Sequence, residues 1–241
     1  MITFRKCREL TYDELLDIPP PHRRGHWAPI KHSTLVRELR ASVLEAGFQI
    51  KGEKYGVKRK DLQLFGCLDF ALPAGQSFPE GMSPGLVFRH SNDRRMALRI
   101  AAGCRVFCCE NGMISGEISM RKLHYDSLEL REELRKMIQH VPPVLHKVGS
   151  RVAALKDKAI GLRGTAEHFI IGAFKAEVLP WTAIKQVVSE WECPSFREFD
   201  RRDYWSLYNA FTFAAKTRPP LQQIDTLRRL NAYTERTVLC A

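Results

Sequence analysis

Apolar positions along this chain recur with two different periods, and the period changes near its middle. Over residues 62–70, Leu62, Leu64, Leu68 and Phe70 alternate with less apolar neighbours, which predicts a strand with those four side chains inward. Two further strand-like runs, 86–89 and 97–109, flank His90-Ser91-Asn92-Asp93, a cluster of turn-forming residues that predicts a hairpin. With period two, Leu98, Ile100, Ala102, Cys104, Val106 and Cys108 share one face of the second run, and Arg99, Arg105 and Phe107 share the other. One face reads as core, the other as a basic surface with an aromatic in it.

Helical spacing brackets this hairpin. A short helix is expected over 11–16, stopped by Ile18-Pro19-Pro20-Pro21, and a longer amphipathic one from Ser33, where Val36, Leu39, Val43 and Ala46 recur and Gly47 stands at the C-terminal cap position. Residues 48–50 suggest a strand, 51–60 a basic glycine-containing loop, and 73–84, with three prolines and two glycines, a second loop. One more strand is expected over 114–123, bearing Arg121 and Lys122. Asp126 with Glu129 then resembles a capping pair for a helix through Leu130, Leu134, Met137 and Ile138, which Pro142-Pro143 interrupts. Helices are expected over 144–160, 165–179, 180–191, 202–216 and 221–238. Strands first and helices afterwards predict an α+β fold: a mostly antiparallel N-terminal sheet with one packed helix over 1–125, and a helical region over 126–241 packed on or beside it.

Charge sharpens the picture. The 241 residues include 38 Lys and Arg against 27 Asp and Glu, a formal charge of +11, and a surplus of that size favours a polyanionic partner because neutralised phosphates release counterions. The candidate contacts are Lys54, Lys58, Arg59 and Lys60 of the basic loop and Arg89, Arg94, Arg95, Arg99 and Arg105 of the hairpin, with Phe107 placed to stack a base. Convergence of the two groups on one surface is what the idea requires. The aromatic stretch Tyr204, Trp205, Leu207, Tyr208, Phe211 and Phe213 reads as helical core in preference to a stacking platform, with Asn209 as a buried hydrogen-bonding group.

Catalytic signatures are absent from the sequence: no phosphate-binding G-x-x-x-x-G-K-[ST], no G-x-G-x-x-G after a strand, no H-E-x-x-H and no G-x-S-x-G. A thiol–imidazole pair drawn from Cys104, Cys108 or Cys109 with His90 or His124 is disfavoured because Cys104 and Cys108 fall on the apolar face. His22, His26 and His32 match no familiar ligand spacing and read as polar surface histidines; a metal-dependent nuclease built on His90, Asp93 and His124 is the least favoured alternative. No catalysis, metal or cofactor is therefore expected. Seven cysteines without framework spacing read as reduced thiols, no apolar run is long enough for a bilayer, and the charged start lacks the apolar region of a signal peptide, so a cytoplasmic protein is expected.

Several motifs carry a resemblance. Trp27-Ala28-Pro29-Ile30-Lys31-His32-Ser33, Phe88-Arg89-His90-Ser91-Asn92-Asp93 and the ten residues Gly103-Cys104-Arg105-Val106-Phe107-Cys108-Cys109-Glu110-Asn111-Gly112 resemble stretches of the phage/plasmid-like protein family classified as domain of unknown function 932, and Trp205-Ser206-Leu207-Tyr208-Asn209-Ala210-Phe211-Thr212 is similar more weakly. The order His-Ser-Asn-Asp departs from that family's usual Asn-Ser-His-Asp. What the resemblance implies is a mobile-element setting in a bacterial host cell and a DNA-handling accessory role, near single-strand annealing recombinases in fold order and charge. The expectation is a non-enzymatic protein that binds single-stranded nucleic acid and serves annealing or recombination, with no membrane partner and room for a homo-oligomer. The alternative is an inhibitor or adaptor acting on a host or element-encoded protein.

Overall fold

The structure, a computed structural model, describes residues 3–23, 27–73, 75–106, 112–119, 127–161 and 164–240. Six strands follow one another in chain order across a single antiparallel sheet: β1 (Arg8–Leu10), β2 (Gln49–Lys58), β3 (Gln63–Ala71), β4 (Met82–Ser91), β5 (Arg99–Val106) and β6 (Gly112–Ser119). Two helices, α1 (Tyr12–Leu16) and α2 (His32–Glu45), lie between β1 and β2. Six more follow the sheet: α3 (Ser127–Gln139), α4 (Val141–Asp157), α5 (Thr165–Lys175), α6 (Ile184–Glu192), α7 (Tyr204–Ala215) and α8 (Pro220–Thr234). The fold is α+β, with the sheet in the N-terminal half and helices in the C-terminal region, as strand-then-helix order predicts.

Both faces of the sheet are covered, which is why β3 is buried along nearly its whole length. Leu64, Leu68 and Phe70 of β3, with Leu86, Phe88, Ile100 and Ala102, pack under α2 and α3. Phe65, Cys67, Val87 and Ala101 face the other way and meet Phe4 and Ile224 and Leu227 of α8. The second face is thus not the open basic surface that alternation along 97–109 suggests; α8, distant in sequence, lies over its apolar centre. At Gly66 the packing leaves no room for a side chain, since a Cβ would lie 2.2 Å from the Phe88 ring.

Segment 51–60 differs from expectation. Residues 51–58 are strand and only 59–60 belong to a turn, because β2 is paired on both sides, to β1 through Leu10↔Tyr55 and Arg8↔Val57 and to β3 from Gln49↔Ala71 to Lys58↔Gln63. Its glycines mark close approach: a Cβ at Gly56 would meet the Phe4 ring at 2.9 Å. Likewise β4 begins inside the stretch expected to be a loop. Pro84 is accommodated there because it pairs with Cys104 of β5 but lies beyond the last β3 rung, Asp69↔Gly85.

The helical region has its own core, in which Phe169, Phe174, Val187, Trp191, Trp205, Leu207, Tyr208 and Phe211 join Met82, Cys104, Val106 and Met113 from the sheet. Pro142-Pro143 opens α4 instead of merely ending α3: the two prolines sit in its first turn, where a missing N–H costs nothing. The aromatic residues of α7 are core, and Asn209 is buried with its Nδ2 donating to the Trp205 carbonyl at 2.8 Å. Residues 120–126, with Asp126, lie outside the described residues. Among the described residues no helix is long and apolar enough to cross a membrane.

Candidate nucleic-acid interface

A meander places alternate turns at opposite ends of the sheet, so the β2–β3 and β4–β5 connections share an end. The pairs Lys58↔Gln63 and Gln63↔Ser91 fix the register there, bringing turn 59–62 beside turn 92–98. Adjacent strands run about 4.8 Å apart, so the side chains of the two turns are within reach of one phosphate chain. Asn92 joins the turns directly, its N–H donating to the Leu62 carbonyl at 2.7 Å, and Gln63 Nε2 donates to Asp93 Oδ2 at 2.8 Å. Lys58, Arg59, Lys60, Arg94 and Arg95 therefore gather at this tip, the last four of them exposed.

The backbone of the tip is strained. Arg59, Lys60 and Asp61 have φ of 55°, 57° and 63°, and Arg94 has 60°. They make up four of the seven positive-φ non-glycine residues in the described chain, so the left-handed conformations concentrate where the cations are. Each costs about 1–2 kcal/mol against a right-handed residue. Local polar contacts hold this geometry. Arg8 Nη2 donates to Asp61 Oδ2 at 2.7 Å, and His32 Nε2 lies 2.8 Å from the Asp61 carbonyl oxygen. In the other turn Ser91 Oγ donates to Asp93 Oδ1, and the Arg95 N–H donates to both Ser91 Oγ and Asp93 Oδ1. Burial alone would raise the Asp93 carboxyl, but the hydrogen bonds from Ser91, the Arg95 N–H and Gln63 outweigh it and hold the group below its usual range.

Beneath the tip lies a buried pair of imidazoles. His32 and His90 meet edge to face with centroids 5.4 Å apart, so His32 is not the surface histidine that its neighbours suggest. Asn92 fixes the arrangement: its Oδ1 accepts from the Ile30 N–H at 3.2 Å and its Nδ2 donates to the Ile30 carbonyl at 2.9 Å. With the amide so oriented, His90 Nε2, at 3.2 Å from the same Oδ1, is the donor. Burial and then the neighbouring His32 push His90 down to about 3, and burial lowers His32 as well, its hydrogen bond to Asp61 opposing. Both rings are neutral near pH 7. Segment 27–32 is thereby pinned against the two turns, and Trp27 lies under the Arg94 guanidinium at 5.8 Å.

The remaining candidates spread out. Arg89 and Arg99 are directly opposite each other in β4 and β5, half-buried, one row in from the tip beside Phe65. Lys54 is exposed but sits mid-sheet opposite Cys67. Arg105 is at the far end, its Nε 2.8 Å from Asp69 Oδ2, and that carboxylate is buried. Phe107 lies outside the described residues, as do His26, Cys108, Cys109 and His124. Cys104 is fully buried and its thiol is pushed up to about 11, which leaves it protonated and unreactive. Among the described residues no group of three or more His, Cys, Asp or Glu is arranged to hold a metal ion.

Sequence patterning misses Arg8, Gln63 and Trp27 as parts of this site, because each reaches it through pairing or docking between segments far apart in the chain. Asn92 and Asp93 carry a local signal, their turn chemistry, but not the contact of Asn92 with Ile30. No family model, no curated protein and no solved structure matches this chain.

Proposed function

We propose that the cationic tip of the sheet binds the phosphate backbone of single-stranded nucleic acid, without catalysis, in an accessory role such as annealing. One observation carries the reading: the two basic turns, 32 residues apart at Lys60 and Asn92, lie side by side and are tied by the Asn92–Leu62 hydrogen bond. Lys58, Arg59, Lys60, Arg94 and Arg95 supply the phosphate contacts, with Arg89 and Arg99 extending the positive field inward. A flexible single strand can follow a narrow ridge of this kind, and contacts of this type carry little sequence preference. The strained turns add support, since left-handed conformations on charged residues persist where presentation of those side chains matters. The motif likeness to the phage/plasmid-like family fits a mobile-element setting for such a protein.

The test is a salt titration of binding to a labelled oligonucleotide of mixed sequence. Affinity falls as salt rises, with a log–log slope of roughly −0.7 for each phosphate neutralised. Absence of binding at low salt, or affinity indifferent to salt, refutes the reading; a stoichiometric protein complex that survives nuclease treatment would favour an adaptor instead.

A further inference from the structure

A cavity of about 660 Å³ opens at the other end of the sheet, where the start of β4 and the end of β5 meet the C-terminal turn of α4 and the chain entering α7. The span of β4 separates it from the tip by about 30 Å. Its wall carries three cations, Lys156, Arg197 and Arg201, and two carboxylates, Glu80 and Glu198. None of the five makes an ion pair or a side-chain hydrogen bond among the described residues; Glu80, Arg197, Glu198 and Arg201 are exposed at the mouth, and Lys156 lies deeper. Lys156 is half-buried, and an ammonium so placed is stabilised by an anion brought to it. Behind the charges the floor is apolar, formed by Phe199 and Trp205, each 3% exposed, with Met82 and Val106.

We propose that this cavity is a binding site for a nucleoside phosphate. Its three kinds of wall match the three parts of such a molecule. Guanidinium and ammonium groups donate to phosphate oxygens, and the guanidinium fork of Arg197 or Arg201 can do so in a bidentate way. Carboxylates accept hydrogen bonds from sugar hydroxyls, and the apolar floor takes a planar base. An apolar carboxylate or free phosphate would satisfy only one or two of these walls. The site is independent of the tip and of the reading given to it.

The experiment uses the whole protein, with ADP as the probe and adenosine, pyrophosphate and inorganic phosphate as comparisons, read by calorimetric titration and by thermal unfolding. ADP binds and raises the unfolding temperature, and each comparison compound binds at least about tenfold more weakly. R197Q with R201Q weakens ADP by about tenfold or more while leaving the unliganded unfolding temperature in place, since both side chains are exposed. A variant with Arg59, Lys60, Arg94 and Arg95 all changed to Ser keeps wild-type affinity for ADP. The proposal is overturned if ADP produces neither heat nor stabilisation, if pyrophosphate matches ADP, if the R197Q/R201Q protein binds unchanged, or if the tip variant loses ADP binding.

Discussion

Acidification from pH 7 to pH 5 should weaken this fold through one residue more than any other. His90 has its folded pKa at about 3 against an ordinary 6.5, because protonation would place a charge in a dry site beside His32, and this outweighs the hydrogen bonds with Asn92 and Ile30, which favour the charged ring. The folded state therefore holds fewer protons than the unfolded chain everywhere between those two values. Its full stability is present above pH 6.5 and is lost as pH falls below it, at about 1.4 kcal/mol for each pH unit, or about 2 kcal/mol by pH 5. His32, also lowered, adds in the same direction. Asp93, held low, titrates below this window and so does not confuse the result. Urea unfolding followed by tryptophan fluorescence at pH 7 and pH 5 measures the difference. In His90→Phe, which keeps a ring against His32, the pH 7 stability falls but the loss between pH 7 and pH 5 shrinks by about 2 kcal/mol. Equal pH dependence in wild type and variant would refute the neutral, buried imidazole.

Two further outcomes test other parts of the account. Lys60→Gly removes a left-handed non-glycine residue from the tip, and relief of strain, less the greater freedom of glycine in the unfolded chain, leaves a gain of about 0.5–1 kcal/mol. That raises the unfolding temperature by about 1–4 °C while nucleic-acid affinity drops; a lower unfolding temperature would mean that the turn is not strained. Arg105→Gln leaves the Asp69 carboxylate without its ion pair at 2.8 Å and lowers stability by about 2 kcal/mol, yet leaves the salt dependence of oligonucleotide binding unchanged. A shallower slope in that variant would bring Arg105 back among the phosphate contacts.

Periodicity made the order of strands and helices legible, because strands of this sheet carry apolar residues at spacing two and the helices at three to four. It failed where pairing overrides local preference. Residues 51–58 have the glycines and lysines of a loop, and only β1 and β3 on either side make them a strand. The basic face inferred for β5 failed for a related reason: Arg99 and Arg105 do share a side, but that side also holds Ala101, which α8 covers from more than a hundred residues away. The candidate site was legible in its exposed turn residues, Arg59 and Lys60 with Arg94 and Arg95, since charge on a turn needs no tertiary partner. It was not legible in what shapes the tip, the Asn92–Ile30 clasp and the Arg8–Asp61 ion pair, because contacts between distant segments leave no periodic trace.

The central claim is that these two turns form one phosphate-binding surface. Charge-matched neutralisation tests it most directly: the variant with Arg59, Lys60, Arg94 and Arg95 changed to Ser is compared with one in which Arg135, Lys147, Lys175 and Lys185, exposed on α3 to α6, are changed likewise. Both proteins lose four positive charges. The account predicts that the tip variant alone flattens the log–log salt slope for a labelled single strand, by roughly 3, with affinity at low salt collapsing accordingly. Equal losses in the two variants would contradict it, leaving net charge and not the tip as the source of binding.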